Sequence, residues 1–422
     1  RLPGLRPRVF AQRTDEVGGD FFEIVLRIDT AWFDTDAKKV VLVWRGLYAT
    51  PDDDSPDLAA LFVDVEQGDT ARTIDEERER FLARVAAGAI LPVGAMAFPE
   101  DADAAAARAA PLPRPPDAPS RDQVLAMVRA GTSLAGSDLT AVNLEGADLT
   151  GADFTGAILA QANLRDAVLA RARLAGAVLS GVRADRASFV DADLADADLT
   201  GARLARAAFD RANLEGAVAD GVHAAEATWV DARATRASFV GATLDDAKLT
   251  GAKLASANFT GASVARGNFA RASLDDATFY GARGERAVFD GATMADFRAD
   301  GARFAKASFA EVQAEGSVWE GTDLTGAQLP KAQLARALFL RTKLDEATLS
   351  RATATEATFR RASLKRAKCT RANLMQATFE RADLTEADLR WANLYQADTW
   401  RAKMGQVDLA GANFPKGKVP RR

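Results

Sequence analysis

Four residues near the start of the chain have side chains that could carry acid–base chemistry. Trp32, Asp34 and Asp36 lie in one short polar and aromatic segment, and Arg45 follows them. Two carboxylates beside an arginine could move a proton to and from a bound substrate. The alternative is a turn with a structural ion pair, which we favour because no constellation of His, Ser or Lys completes a catalytic site. The run Asp52–Asp54 is interpreted as a solvated loop, since it lacks the spacing of a calcium loop.

The sequence contains one histidine, His223, and one cysteine, Cys369. These counts rule out an intramolecular disulfide and argue against a zinc site with the usual ligands. A single cysteine fits a reducing compartment, so we expect a cytoplasmic protein. In the repeat described below, His223 takes an outward position and Cys369 a buried one, where a thiol is inert. No nucleophile–base pair or phosphate-binding loop is present either, so we predict no cofactor and no enzymatic activity.

Charge is distributed unevenly along the chain. The formal net charge is −5 overall, made up of −7 over residues 1–130, −8 over residues 131–330 and +10 over residues 331–422. The basic C-terminal end also carries outward aromatic residues, and its arginines recur at a fixed spacing. Our candidate partner-binding residues are Arg341, Arg361, Arg381, Arg401, Trp391, Tyr395 and Trp400. An anionic partner would relieve the repulsion between stacked like charges, and the alternative is a solvated basic face.

These residues are positioned by a repeat of five that runs from Leu134 to Phe414. Leu134 plus each multiple of five gives 57 central positions, most of them Leu or Phe, and the residue two places earlier is Ala in 45 cases. In a helix, a period of five would spread the central side chains around the whole circumference. A coil in which five residues form one side places every central side chain inside. The Ala two residues before each centre also points inward. The sequence therefore predicts a solenoid.

Sorting the central positions by their place in a period of 20 reveals aromatic columns, as a chain that coils with 20 residues per turn would produce. We predict that the large aromatic side chains stack one coil apart, about 4.8 Å from each other. The structural residues that represent these columns are Phe189, Phe209, Trp229, Phe259, Phe279, Trp319 and Phe359. Small neighbours offset large centres, since Ala224 and Ala234 flank Trp229. Asp and Asn often precede the centres, and we expect them to bond neighbouring backbone.

One corner column changes character along the chain. Glycines recur once in each predicted coil from Gly181 to Gly321, where we expect a turn with positive φ that glycine accommodates. The same column then continues with the four candidate arginines. The opposite column ends with Lys331, Arg351, Arg371 and Trp391. The sequence thus predicts a solenoid whose two ends differ.

Residues 132–414 resemble the pentapeptide-repeat family. The resemblance implies a mainly β fold, a right-handed quadrilateral β-helix with four sides and 20 residues per coil, here of about 14 coils. Some members of this family are acidic rods that mimic DNA and protect gyrase. Since residues 131–422 sum to a slightly positive charge, we regard a DNA-mimic gyrase-interacting protein as an alternative only.

The N-terminal residues 1–98 are predicted to form a small, partial α+β domain. Phe21–Ile28, Val40–Trp44 and Ala60–Val65 have strand composition, and Asp29–Asp36 would connect the first two strands. Thr73 with Glu76 forms the capping box of a predicted helix. Because the sequence begins at Arg1, inside a patterned segment, we expect it to be part of a longer protein.

Two further segments flank the solenoid. Residues 99–119 are a Pro- and Ala-rich linker, and residues 120–131 hold a short amphipathic helix, Asp122–Arg129, that we expect to cap the first coil. Residues 415–422 form a basic tail. No apolar run of about 18 residues suggests a membrane span.

The run Asp29–Asp36, followed by Val43-Trp44-Arg45-Gly46, resembles the end of a domain of unknown function found beside type VI secretion genes. The resemblance is confined to the N-terminal part of the chain. It implies an adaptor that helps load an effector onto the secretion spike, so the expected partner is an effector or a spike component. The competing hypotheses are gyrase interaction and binding of an anionic partner through the basic end.

Overall fold

The computed structural model describes residues 5–13, 21–24, 26–34, 39–46, 58–67 and 118–413. The chain divides into two compact units, Arg1–Glu100 and Asp101–Arg422. The predicted helix at Thr73, most of the linker, the basic tail and Phe414 lie outside the described residues. No described helix is long and apolar enough to cross a membrane.

The first unit contains five described strands in two antiparallel sheets. The strands are β1 (Leu5–Arg13), β2 (Phe21–Ile24), β3 (Leu26–Asp34), β4 (Lys39–Gly46) and β5 (Leu58–Gln67). One sheet has the order β2-β1-β5, and β3 pairs with β4 in the other. Strand β1 had no counterpart in the sequence-based prediction.

Two predictions for this unit were wrong in detail. The predicted strand Phe21–Ile28 is two strands, β2 and β3, which belong to different sheets. The predicted connection from Asp29 is largely strand, because β3 continues to Asp34 and pairs Trp32 with Val41. Thr, Trp and Phe in this stretch favour extended backbone, which explains why the strand continues.

The register of the hairpin also separates the candidate acid–base residues. Asp34 lies opposite Lys39, whereas Arg45 lies opposite Arg27. Six residues of β4 therefore separate the level of Asp34 from that of Arg45, about 20 Å of strand. Asp36 lies outside the described residues. The register of the described strands thus places Asp34 and Arg45 at different levels of the hairpin.

The second unit begins with α1 (Arg121–Arg129). Ser120 and Gln123 form a capping box at its start, where side chains and backbone amides bond reciprocally. Val124 is fully buried against the first coil, with Leu125 packed beside it. The Arg121 guanidinium donates hydrogen bonds to the carbonyl oxygens of Asn143 and Glu145 at 3.0 and 2.9 Å, respectively. The helix thereby covers the open N-terminal coil, satisfying edge groups that would otherwise be exposed.

The rest of the unit is a four-sided β-helix. Parallel bridges link each residue that precedes a centre to its equivalent in the next coil, from Asp138 with Ile158 to Asn393 with Asn413. One such bridge lies on each of the four sides of a coil. Because the frame of five is unbroken, the backbone hydrogen bonds between neighbouring coils repeat in the same pattern along the solenoid.

The interior follows the predicted columns. Phe189 stacks on Phe209 with ring centroids 4.7 Å apart, and Phe209 stacks on Trp229 at 4.1 Å. The opposite column meets this one edge to face across the core, as Phe259 does with Phe269 at 5.9 Å. The remaining structural residues, Phe279, Trp319 and Phe359, are also buried. The predicted aromatic ladders are therefore confirmed.

The chain turns between sides in type II turns, and the corner residue with positive φ lies two places after each centre. Glycine and other residues adopt the same backbone conformation there. The amide of Ala147 bonds the carbonyl of Leu144 at 3.0 Å, with Gly146 at φ 65° between them. Most corner residues are not glycine, and Arg341 has φ 56° where Gly201 has φ 64°. The glycine column therefore differs from the arginine positions in lacking side chains, not in its backbone conformation.

Candidate partner-binding surface of the C-terminal coils

The four candidate arginines occupy one corner of four consecutive coils. We name Arg341, Arg361, Arg381 and Arg401 the arginine column; their φ values lie between 54° and 56°. The stacked rings of Phe339, Phe359 and Phe379 show a spacing of 4.9 to 5.0 Å between these coils. The backbone thus places four guanidinium groups in a row along the solenoid axis.

The arginine column is partly neutralised by carboxylates that the sequence did not single out. Arg341 pairs with Glu320 at 2.6 Å, and Arg381 lies 3.9 Å from Glu380. Arg360, one residue before the column, pairs with Glu380 at 3.4 Å. These pairs are partly exposed, so each contributes roughly 0–1 kcal/mol to stability. Glu320 and Glu380 lower the net positive charge beside the column.

Trp400 is the aromatic residue that joins the arginine column. The Cζ atom of Arg401 lies 4.3 Å from the Trp400 ring centroid, and that of Arg381 lies 5.6 Å away. Trp400 is 51 % exposed. Two cations beside one indole form a cation–π cluster that presents positive charge and a flat apolar surface together.

The other two candidate aromatics stand at different corners of the solenoid. Trp391 continues the column of Lys331, Arg351 and Arg371, and its ring occupies the space beside Gly411 that a β-carbon there would fill. Tyr395 lies at the corner between Trp391 and Trp400. The structure therefore places the predicted aromatic residues on three edges of the last coils, and only Trp400 is seen to contact the arginine column.

Elsewhere on the solenoid, corner arginines bind carboxylates one coil away. Arg186 donates to both carboxylate oxygens of Asp166 at 2.7 and 2.6 Å, and this bonding holds the pKa of Asp166 below its usual range. Arg211 holds Asp191 in the same way. The spacing between coils therefore suits the fork of a guanidinium group to a carboxylate.

A shallow groove of about 430 Å³ lies along one of these faces, near the N-terminal end of the solenoid. Its lining includes Glu145, Arg165, Asp185, Arg186, Arg203, Arg206 and Glu226. Arg165 pairs with Asp185 at 3.3 Å, and Arg206 pairs with Glu226 at 2.9 Å. Most of the charges in the groove are thus paired within the chain, which makes it a weak candidate for binding an anion.

The one cysteine and the one histidine of the chain occupy the two kinds of position expected from the repeat, a buried centre and an outward position. Cys369 is buried, and burial raises the pKa of its thiol to about 12, as expected for an inert group. His223 is half-buried and faces outward. Its backbone forms parallel β-bridges with Arg203 and Thr243 in the neighbouring coils. Among the described residues, no group of three His, Cys, Asp or Glu could hold a metal ion.

Many Asp and Asn residues before the centres bond neighbouring backbone, as predicted. Asp148 accepts a hydrogen bond from the amide of Thr150 at 3.1 Å. Asn side chains also bond each other between coils, as Asn393 does with Asn373 at 3.0 Å. These contacts explain the residues structurally, without a catalytic role.

Several solved structures are similar to this chain. HetL, a pentapeptide repeat protein involved in heterocyst differentiation regulation in the cyanobacterium Nostoc, is 24 % identical over 71 % of this chain and 98 % of its own, with a TM-score of 0.18. Full-length QnrB1, a plasmid-mediated fluoroquinolone resistance protein, is 18 % identical over 50 % and 93 %, with a TM-score of 0.18. A pentapeptide repeat protein of the Arabidopsis thaliana thylakoid lumen is 19 % identical over 36 % and 74 %, with a TM-score of 0.17. No curated protein matches the sequence significantly.

Two family models match the chain. An uncharacterized protein family conserved in bacteria, DUF2169, matches residues 1–45. The model of pentapeptide repeats in eight copies matches residues 130–183, 187–283, 302–340 and 342–398, which is more than half of the chain. This match agrees with the bridges between successive coils and with the four-sided shape of each coil. The chain therefore belongs to the pentapeptide-repeat family.

Proposed function

We propose that the protein is a non-enzymatic scaffold that binds other proteins. The observation that carries this proposal is the long repetitive core, in which nearly every inward side chain serves packing and every side of the coil presents a regular outer surface. Such solenoids offer extended binding surfaces rather than enclosed pockets. Pentapeptide-repeat proteins are generally structural or interaction proteins rather than enzymes.

More specifically, we infer a cytoplasmic accessory protein of type VI secretion that helps load an effector onto the spike. This inference is supported by the DUF2169 match at residues 1–45 and by the resemblance of that segment to secretion adaptors. The N-terminal unit and the solenoid would then supply two docking surfaces in one chain.

The surface favoured for an anionic partner is the edge formed by the arginine column and Trp400. It combines guanidinium groups with an exposed indole, and arginine and tryptophan are enriched where binding energy is concentrated in protein interfaces. Since residues 331–422 carry a net charge of +10, an acidic surface on the partner would be complementary.

The test is co-expression of the full chain with the spike protein and effector from its own genomic neighbourhood, followed by affinity capture and size-exclusion chromatography. We expect the chain to retain at least one of the two through both steps. Loss of both proteins at physiological salt would contradict the adaptor function.

Interaction with gyrase is the alternative, and its electrostatics are unfavourable. A DNA mimic presents strong negative charge, whereas residues 131–330 carry −8 and residues 331–422 carry +10. In a supercoiling assay we expect neither inhibition of gyrase nor protection from quinolones. Either effect would favour the alternative over the adaptor.

A further inference from the structure

Four cations lie together on one face of the solenoid, within the segment whose net charge is negative. Arg283 and Arg286 belong to one coil, and Arg303 and Lys306 take the same two positions in the next coil. We call these four residues the cation cluster. Stacked rings in the same coils, Phe289 and Phe309, are 4.8 Å apart, which gives the axial spacing of the cluster. Across the face, three residues of extended chain separate the two columns, about 10 Å at most.

No member of the cation cluster has a side-chain ion pair or hydrogen bond with any residue in the described part of the chain. The preceding coil shows what the same corner does when a carboxylate is available. There, Arg266 donates to both carboxylate oxygens of Asp246 at 2.8 and 2.6 Å. The neighbours of Arg286 in the same column are Arg266 and Lys306, so neither adjacent coil supplies a carboxylate at this position. The fork geometry that the fold provides is therefore left for an external group.

The face is open to a ligand on one side. Gly281 and Gly301 form the corner beside Arg283 and Arg303, and a β-carbon built on either glycine would meet nothing within 4 Å. Arg286, Arg303 and Lys306 are exposed, and Arg283 is half-buried. A bare corner beside two guanidinium groups lets an extended chain approach without first displacing side chains.

Acidic residues bound the cluster along the axis. Asp245 and Asp246 lie two coils before Glu285 and Arg286, and Asp323 follows Arg303 by one coil in the same column. A nucleic-acid strand laid along this face would bring its regularly spaced phosphates against these carboxylates. A short anionic segment would meet only the four cations and Glu285.

We propose that the cation cluster is a second docking site, which binds a short acidic segment of a protein partner through carboxylates placed across two coils. The site rests on the proposed function as a protein-binding scaffold and adds the chemistry of one partner segment. It is separate from the arginine column at the C-terminal end.

The test uses the full chain and a fluorescein-labelled triglutamate peptide, which is about 10 Å long when extended and so matches the width of the cluster. Binding is followed by fluorescence anisotropy at low and at physiological salt. The double variant Arg283→Glu with Arg303→Glu should lower the affinity at least about tenfold, since two attractive contacts become repulsive. Both side chains point outward, so circular dichroism should show an unchanged fold.

A matched control exists in the same column. Arg183 and Arg203 also lie in adjacent coils, but their corner neighbours Arg186 and Arg206 are already bound to carboxylates. The variant Arg183→Glu with Arg203→Glu makes the same change in charge, and we expect it to change the affinity less than about threefold.

Three results would overturn the proposal: no peptide binding by the parent, equal losses in the two double variants, or tighter binding of a labelled oligothymidine that the cluster variant abolishes. Failure of the adaptor function is recognised separately. A chain that binds the peptide through the cluster but captures neither spike nor effector would disprove the adaptor and leave this site standing.

Discussion

The indole nitrogen of Trp319 donates a hydrogen bond to the hydroxyl oxygen of Ser317 at 2.8 Å inside the solenoid. Ser317 replaces the Ala expected two residues before the centre Trp319. Its hydroxyl donates a hydrogen bond to the carbonyl oxygen of Ala314 at 2.7 Å. The other buried tryptophan, Trp229, has Ala227 at the equivalent position, and its indole nitrogen has no hydrogen-bond partner among the described residues. One buried indole is thus satisfied and the other is not.

The two tryptophans should respond differently to loss of the indole N–H. Trp319→Phe leaves the hydroxyl of Ser317 without its donor, whereas Trp229→Phe removes a group that was already unsatisfied. We expect Trp319→Phe to lower the free energy of unfolding by about 1–3 kcal/mol more than Trp229→Phe does. Urea denaturation of both variants measures the difference, and equal losses would show that the hydrogen bond to Ser317 contributes nothing.

Gly284 occupies a central position, where its lack of a side chain makes room for the neighbouring coil. A β-carbon on Gly284 would collide with the ring of Phe304 and approach Val264. We expect Gly284→Ala to destabilise the fold by about 1–3 kcal/mol through overpacking.

The control for this variant is Gly201→Ala at a corner. Gly201 has φ 64° and open space around a β-carbon, so only backbone strain of about 1–2 kcal/mol is expected. Combining each substitution with Phe304→Leu separates the two causes. Phe304→Leu should rescue Gly284→Ala and leave the cost of Gly201→Ala unchanged, and failure to rescue would refute the packing explanation.

Cys369 should make stability depend on pH in the alkaline range. Burial raises the pKa of its thiol from 9.0 to about 12, so the unfolded chain loses this proton at lower pH than the folded chain. The unfolded state then binds fewer protons between about pH 9 and 12, and the free energy of unfolding falls as the pH rises through that window. The contribution of Cys369 is fully present below pH 9.

The measurement is urea denaturation of the parent and of Cys369→Ala from pH 8 to pH 10. Alanine is a tolerated centre elsewhere in the solenoid, as at Ala354. We expect the parent to lose stability more steeply than the variant, by up to about 1.4 kcal/mol per pH unit. Parallel curves would contradict the buried thiol as the cause.

Much of the solenoid follows from sequence because its period fixes each residue's environment. The aromatic columns, the inward Ala side chains two residues before the centres and the buried state of Cys369 all depend only on position within the repeat. The break between β2 and β3 does not follow from periodicity, since it arises because β2 pairs with β1 whereas β3 pairs with β4. Pairings between distant strands are set by tertiary packing, which local strand propensity does not report.

The candidate surface was predicted less completely. The arginine column is visible as a recurrence once per coil, but the recurrence does not show which carboxylates neutralise it. Glu320 reaches Arg341 from the preceding coil, whereas Glu380 directly precedes Arg381 in the chain. Glu320 and Glu380 lie in the column of residues one position before the arginine column. Listing the residues of that column from the sequence would have identified both carboxylates. Trp391 and Trp400 are separated because they lie at different corners of the coil. Their positions in the repeat already assign them to different corners, so this separation could have been predicted from the sequence.

The most direct measurement of the central claim is the affinity of the full chain for its spike or effector partner, before and after reversing charge at the arginine column. We predict that Arg381→Glu with Arg401→Glu, which reverses both cations beside Trp400, weakens binding at least about tenfold and that the parent's affinity falls as salt rises. The control, Arg351→Glu with Arg371→Glu, makes the same change at the opposite corner of nearby coils and should weaken binding less. Binding of both variants as tight as that of the parent, without dependence on salt, would contradict a scaffold that holds its partner through the basic C-terminal coils.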